Sequence, residues 1–154
     1  MRIVIGLGLL TIGLTAASAW AQPGLRLNTQ MFVERVTADI NGRPRRILSE
    51  AGRAAPGDQM IVVVHWRNEG NETLRDRTIM RAVPRGAQVD LSDPSMDVSV
   101  DGGAHWGRID TLWLPTPLGG IRRATAGDIS HVRWRLPAGA PGETGRLSYR
   151  ATMR

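Results

Sequence analysis

Residues 56–71 read Pro56-Gly57-Asp58-Gln59-Met60-Ile61-Val62-Val63-Val64-His65-Trp66-Arg67-Asn68-Glu69-Gly70-Asn71. A Pro-Gly-Asp turn leads into a run of β-branched residues, and the run stops at a cluster of turn-forming Asn and Gly. After the N-terminus it is the most apolar segment of the chain, which predicts the central strand of a sandwich core over Gln59 to Arg67. With a period of two, Met60, Val62, Val64 and Trp66 face one way, and Ile61, Val63, His65 and Arg67 face the other. The first set holds no charge and ends in a Trp, so it predicts the buried face. The second turns polar towards its end, as a strand does on leaving a sandwich.

Working outward, the segments on either side read as strands that cover this one. Gln30 to Thr37 alternates well enough for a first strand, with Met31 and Val33 on one face. Asn41-Gly42 is a hairpin signal, and Arg45 to Ser49 then predicts a short edge strand guarded by Pro44 and Arg. Downstream, Thr73 to Val83 and Ala87 to Leu91 are two more candidates. Met96, Val98 and Val100 alternate with Asp97, Ser99 and Asp101, which predicts a half-buried strand with a solvated acidic face. Trp106 to Leu114 is expected to return after the Asp101-Gly102-Gly103 turn. Asp128 to Leu136 points Val132, Trp134 and Leu136 inward, and Thr144 to Met153 is the last strand. Residues 115–127, rich in Pro and Gly, are the largest loop. No amphipathic helical pattern follows residue 22. Strands about ten residues apart with turn signals between them predict an all-β fold: an immunoglobulin-like antiparallel β-sandwich of about seven to nine strands over residues 30–154.

The first residues are of a different kind. Arg2 is a positive n-region, Ile3 to Leu14 an apolar h-region, and Ala19-Trp20-Ala21 a small-x-small cleavage site, so residues 1–21 are expected to be a cleaved signal peptide. Residues 22–29 would then be a flexible leader. No Cys stands at the cleavage point, which excludes a lipoprotein, and no transmembrane segment is expected in the mature chain. The protein is therefore expected to be exported, to the periplasm or the extracellular space. The chain of 154 residues contains no Cys at all, so its core must suffice without disulfides.

The formal charge of +6 comes from 20 basic and 14 acidic residues, and falls by one, to +5, when Arg2 leaves. Every basic residue is Arg, which excludes Lys–Asn isopeptide bonds and Schiff-base catalysis. The arginines are scattered singly among acids, as in Arg75-Asp76-Arg77, without a sustained basic block, so nucleic acid is not expected as a partner. Thiol chemistry is excluded, and no nucleophile elbow, metal-binding His-Glu-x-x-His helix or phosphate loop is present. Asp90, Asp93, Asp97 and Asp101 read as a solvated face rather than a calcium loop. His65 and His131 fall on outward strand positions, each beside an inward Trp; they could be neighbours across the sheets, but no third metal ligand can be placed. No metal, cofactor or catalytic residue is assigned. Asn71-Glu72-Thr73 matches a glycosylation sequon and is taken as turn chemistry.

Ser99-Val100-Asp101-Gly102-Gly103-Ala104-His105-Trp106 fits the pattern Ser-x-Asp-x-Gly-x-x-Trp and resembles the Asp-box hairpin of sialidase-type propellers. In that turn Asp caps backbone N–H groups, Gly permits positive φ and the Trp packs beneath. One copy predicts a hairpin and no sialidase activity.

Pro56-Gly57-Asp58, the apolar strand, Asn68-x-Gly70-Asn71 and Val83-Pro84-x-Gly86 together resemble the domain-of-unknown-function-11 repeat of bacterial surface proteins, over about residues 30 to 100. That resemblance implies an immunoglobulin-type sandwich of the cell envelope, here as a single copy, with no catalytic residues to carry over. The expected function is a non-enzymatic exported envelope module with a structural or protein-interaction role, its partner an envelope protein or a surface polysaccharide. The alternative is a carbohydrate-binding module using exposed Trp; an unrecognised hydrolase is the third. The candidate ligand contacts are Trp113, beside the Pro-rich loop, with Trp106, His65 and His131.

Overall fold

Gln59–Asn68 is a ten-residue strand at the centre of the larger of two main sheets. The computed structural model describes residues 24–154, so the expected signal peptide lies outside the described residues. In chain order the strands are β1 (Leu25–Ala38), β2 (Pro44–Glu50), β3 (Gln59–Asn68), β4 (Thr78–Ala82), β5 (Ala87–Val89), β6 (Met96–Ser99), β7 (Trp113–Pro115), β8 (Ile121–Arg123), β9 (His131–Arg135) and β10 (Thr144–Met153). They make a five-stranded sheet, β2-β1-β3-β10-β5, a three-stranded sheet, β4-β9-β6, and a separate β7–β8 ribbon. Every strand pair is antiparallel. The fold is an all-β antiparallel sandwich. Among the described residues no helix is long and apolar enough to cross a membrane.

The period-two pattern of β3 decides which face is covered. Met60, Val62, Val64 and Trp66 are buried; His65 and Arg67 are exposed. Opposite them in the core lie Ile79 of β4, Val98 of β6, and Val132 and Trp134 of β9, with Leu136 just beyond it. Full burial of each such aliphatic side chain stabilises the fold by roughly 1.5–3 kcal/mol. Trp134 meets Tyr149 of β10 across the two sheets, their rings tilted and 6.2 Å apart.

Both ends of β3 are tied to β10 or its approach. At the start, Gly57 has a φ of +88°, which the turn requires. The Asp58 carboxylate accepts the Ala55 N–H at 2.8 Å, the Gly57 N–H donates to the Met153 carbonyl, and the Met153 N–H donates to the Asp58 carbonyl. At the far end, Asn68 is fully buried. Its Nδ2 donates to the carbonyls of Glu72 (2.8 Å) and Gly139 (3.0 Å), and its Oδ1 accepts the Gly70 N–H at 3.0 Å. A buried amide is stable there because each of its polar atoms has a partner.

Several boundaries differ from the sequence reading. Residues expected in a flexible leader belong to β1, which starts at Leu25 and pairs with β3 from Leu25↔Asn68 onward. The expected strand over 73–83 shortens to Thr78–Ala82, because Asp76 adopts a φ of 51° and breaks the run. Trp106 to Leu114 does not return as one strand: a single bridge, Val98↔Gly107, is followed by a 3-10 turn over Ile109–Thr111, and only Trp113 and Leu114 are extended, in β7. Ser99, expected on a solvated face, is fully buried, and its hydroxyl donates to Asp101 and accepts the Gly103 N–H. Among the described residues ten strands form where seven to nine were expected; β8, which pairs with β7, forms inside the Pro-rich loop.

Candidate functional site

The outer face of the five-stranded sheet is built by register. Along β3, the outward residues Ile61, Val63, His65 and Arg67 stand opposite Phe32, Gln30, Asn28 and Arg26 of β1. On the other side they stand opposite Arg150, Ser148, Arg146 and Thr144 of β10. The face therefore runs from an apolar middle to a basic end.

At that end lies a shallow groove of about 590 Å³, lined by Arg26, Asn28, His65, Arg67, Thr144 and Arg146 among others. Arg26 and Arg67 are direct cross-strand neighbours, and Arg146 sits diagonally from Arg67. Like charges placed opposite one another across a ladder repel. Glu69 offsets part of this through an exposed pair with Arg26 at 3.2 Å. Such a pair is worth little in water. Among the described residues Arg67 and Arg146 have no ion-pair partner.

At the opposite end of the same face the arginines are satisfied. Glu34 of β1, its side chain only 8% accessible, receives Arg46 of β2 on one oxygen at 2.9 Å and Arg150 of β10 on the other at 3.0 Å. One nearly buried carboxylate thus bridges strands on both sides of β3.

Beyond Glu34 the β1–β2 hairpin leaves the sandwich. Residues 35–38 and every residue of β2 are exposed. Four large apolar side chains stand in solvent there: Ile40 at 102%, Val36 at 68%, Leu48 at 55% and Ile47 at 40%. Arg35, Arg43, Arg45 and Arg46 are interleaved with them.

Of the four candidate contacts from the sequence, Trp106 and His131 are brought together, whereas His65 and Trp113 stand apart from them. His65 lies in the basic groove on the outside of the larger sheet. His131 is on the outer face of the smaller sheet, where its ring meets the edge of Trp106, with centroids 6.5 Å apart. The two histidines therefore stand on opposite sides of the sandwich and are not neighbours. Among the described residues no group of three His, Asp or Glu is placed to hold a metal ion. Trp106 is half-buried: Arg133 covers its ring at 4.7 Å, and its Nε1 donates to the Gly103 carbonyl at 2.8 Å. Trp113 is half exposed, with Arg123 lying 5.3 Å over its ring on the β7–β8 ribbon.

The turn before Trp106 closes on Asp101. This carboxylate accepts the His105 N–H at 2.9 Å, faces His105 Nδ1 at 2.6 Å and receives the Ser99 hydroxyl at 2.8 Å. The backbone N–H of His105, then its ring, then Ser99 hold Asp101 well below the usual carboxylate range. Gly102 and Gly103 take φ of +77° and +96°. Asp128 is likewise held low, chiefly by a bidentate pair with Arg122 at 2.7 Å for both contacts. Both carboxylates are committed to local structure.

The residues that shape the basic groove, Arg26, Arg67 and Arg146, were not singled out in the sequence, since they converge only once β1, β3 and β10 are in register. No protein-family model matches the chain, and no curated protein or solved structure matches it either.

Proposed function

We propose that the chain is a non-enzymatic, exported module of the cell envelope that acts by binding another protein, in line with its resemblance to the domain-of-unknown-function-11 repeat. The observation that supports this is the β1–β2 hairpin. It presents Val36, Ile40, Ile47 and Leu48 to solvent on an arm whose other residues are largely arginine and small polar side chains. Apolar groups clustered with Arg on a projecting ribbon have the composition of an interface core. Edge strand β2 also keeps one side of its backbone unpaired, and an extended partner segment can add to it, although Pro44 removes one donor.

The test is fractionation joined to site-specific photocrosslinking in the native host, with the crosslinker at position 47 of the full chain. A discrete adduct in the envelope fraction, lost in an Ile40→Asp, Leu48→Asp variant of unchanged stability, is the expected result. Protein confined to the cytoplasm, or adducts unaffected by the variant, would overturn the reading.

Carbohydrate binding through Trp113 is the second reading, favoured by the half-exposed ring. Arg123 already occupies part of that ring's surroundings, which leaves one stacking face for a sugar.

A further inference from the structure

The basic groove carries an inference independent of the hairpin. We propose that Arg67 and Arg146, with Arg26, form an oxyanion-binding site for the carboxylate or phosphate groups of an anionic glycan. Three arginines converge on three adjacent strands of a rigid sheet. Two of them have no ion-pair partner among the described residues, and the third is held by a single exposed carboxylate. Arginine's planar fork donates two parallel hydrogen bonds to a carboxylate or phosphate, so an oxyanion between Arg67 and Arg146 would relieve their mutual repulsion.

The remaining lining adds neutral hydrogen-bonding groups at the same place. Asn28 and Thr144 stand in the two rows that hold Arg146 and Arg67, beside His65. These suit the hydroxyls that flank each anionic group on a sugar chain. Below the floor, the Trp66 ring lies on the inner side, where a Cβ at Gly145 would fall within 2.5 Å of it. Among the described residues no exposed Trp, Tyr or Phe borders the groove for a nucleobase to stack on, the His65 imidazole being its one exposed ring, which favours a glycan over single-stranded nucleic acid.

The experiment measures binding of the full chain to four labelled probes at low and physiological salt: polygalacturonate for carboxylate, phosphomannan for phosphate, dextran as the neutral glycan, and a single-stranded DNA oligonucleotide. Three charge variants accompany the native chain: Arg67→Gln with Arg146→Gln, Arg67→Lys with Arg146→Lys, and Arg85→Gln with Arg135→Gln elsewhere on the surface. The expected result is salt-sensitive binding to one or both charged glycans and none to dextran, and which glycan binds identifies the oxyanion. The groove Gln pair should lose at least tenfold in affinity with a shallower salt dependence, the surface pair should stay within twofold, and the Lys pair should recover the salt dependence. No binding to either charged glycan, equal losses for the groove and surface pairs, or DNA bound as tightly as the glycans would overturn it. Because the hairpin is untouched in all three variants, failure here leaves the crosslinking result standing, and the reverse also holds.

Discussion

The two ends of β3 solve one problem in opposite ways. At each end arginines from neighbouring strands converge on the outer face of the sheet. Near Gln59, the nearly buried Glu34 neutralises Arg46 and Arg150 from both sides. Near Asn68, about 31 Å along the strand at about 3.4 Å per residue, Arg67 and Arg146 stand without an ion-pair partner among the described residues. The difference lies in the layer beneath. The neutralised end continues into an exposed, two-stranded hairpin, whereas the unneutralised end sits over a fully bonded buried amide and a Trp ring. Charge left over on the rigid end is charge available to a ligand; charge at the end that supports a projecting arm is satisfied within the chain.

Removing the rigid layer is expected to have the largest effect. Asn68→Ala deletes three hydrogen bonds, takes the Oδ1 acceptor from the Gly70 N–H and leaves a void where the buried amide stood, although the Gly139 carbonyl keeps the Leu74 N–H at 2.8 Å. The expected cost is about 3 kcal/mol, read as a lower urea midpoint with an unchanged slope. A midpoint like that of the native chain would show that the amide is not what holds this end.

The next effect strikes both ends together through the shared core. Burial raises the Tyr149 phenol to about 12. Below pH 10 the folded and unfolded chains both keep this proton, so it contributes fully to stability there. Between pH 10 and about pH 12 the unfolded chain releases it while the folded chain holds it, and stability falls by up to about 2–3 kcal/mol. Urea midpoints measured from pH 9 to 12 should show this decline in the native chain and a weaker one in Tyr149→Phe. Parallel curves would place the alkaline sensitivity elsewhere.

Much of this frame was legible in the sequence, and the reason is period. Met60, Val62, Val64 and Trp66, and Val132, Trp134 and Leu136, announced their buried faces because alternation survives wherever one face is covered. The Pro-Gly-Asp turn was legible from its own chemistry. What failed was pattern without register. Leu25 to Thr29 carry alternating polar residues and looked like a leader, yet β1 is held by β3, a partner some forty residues away. Ser99 was misplaced because its buried hydroxyl serves the Asp101 turn rather than the strand's alternation. The candidate site was the least legible part. Arg26, Arg67 and Arg146 are scattered singly along the chain, and a basic patch formed by cross-strand pairing has no local signal. The histidines were read as outward, but only the pairing of strands into separate sheets shows that they lie on opposite sides.

A smaller effect is expected from the ring under the groove. Gly145 lies against the buried Trp66, and an added Cβ would fall 2.5 Å from the indole Cε2 and Nε1. Trp66 is held in the core and has little room to yield, so Gly145→Ala should cost about 2 kcal/mol. The test of the comparison is what happens to polygalacturonate or phosphomannan affinity in the same variant. If the rigid layer positions Arg146, affinity should fall although no charge has changed; retained affinity at the lower stability would separate the two.

The smallest stability effect, and the sharpest test of the comparison, comes from Glu34→Gln. The carboxylate is nearly buried but both its arginines are more than half exposed, so water screens much of the attraction and the expected loss is about 1 kcal/mol. Its consequence for charge is larger than its consequence for folding. Arg46 and Arg150 would be left without a counter-ion, and the neutralised end would come to resemble the other in charge while keeping its exposed hairpin. If free arginine alone makes an anion site, affinity for a charged glycan should rise and the salt dependence should steepen, because a second stretch of the face now binds. If a rigid floor under more than one arginine is also required, the salt dependence should change little, since only Arg150 stands on the central strands while Arg46 stands on the hairpin and cannot hold its fork in place. The contrast between the ends predicts the second outcome, and a clear steepening would show that charge, without the layer beneath it, is sufficient.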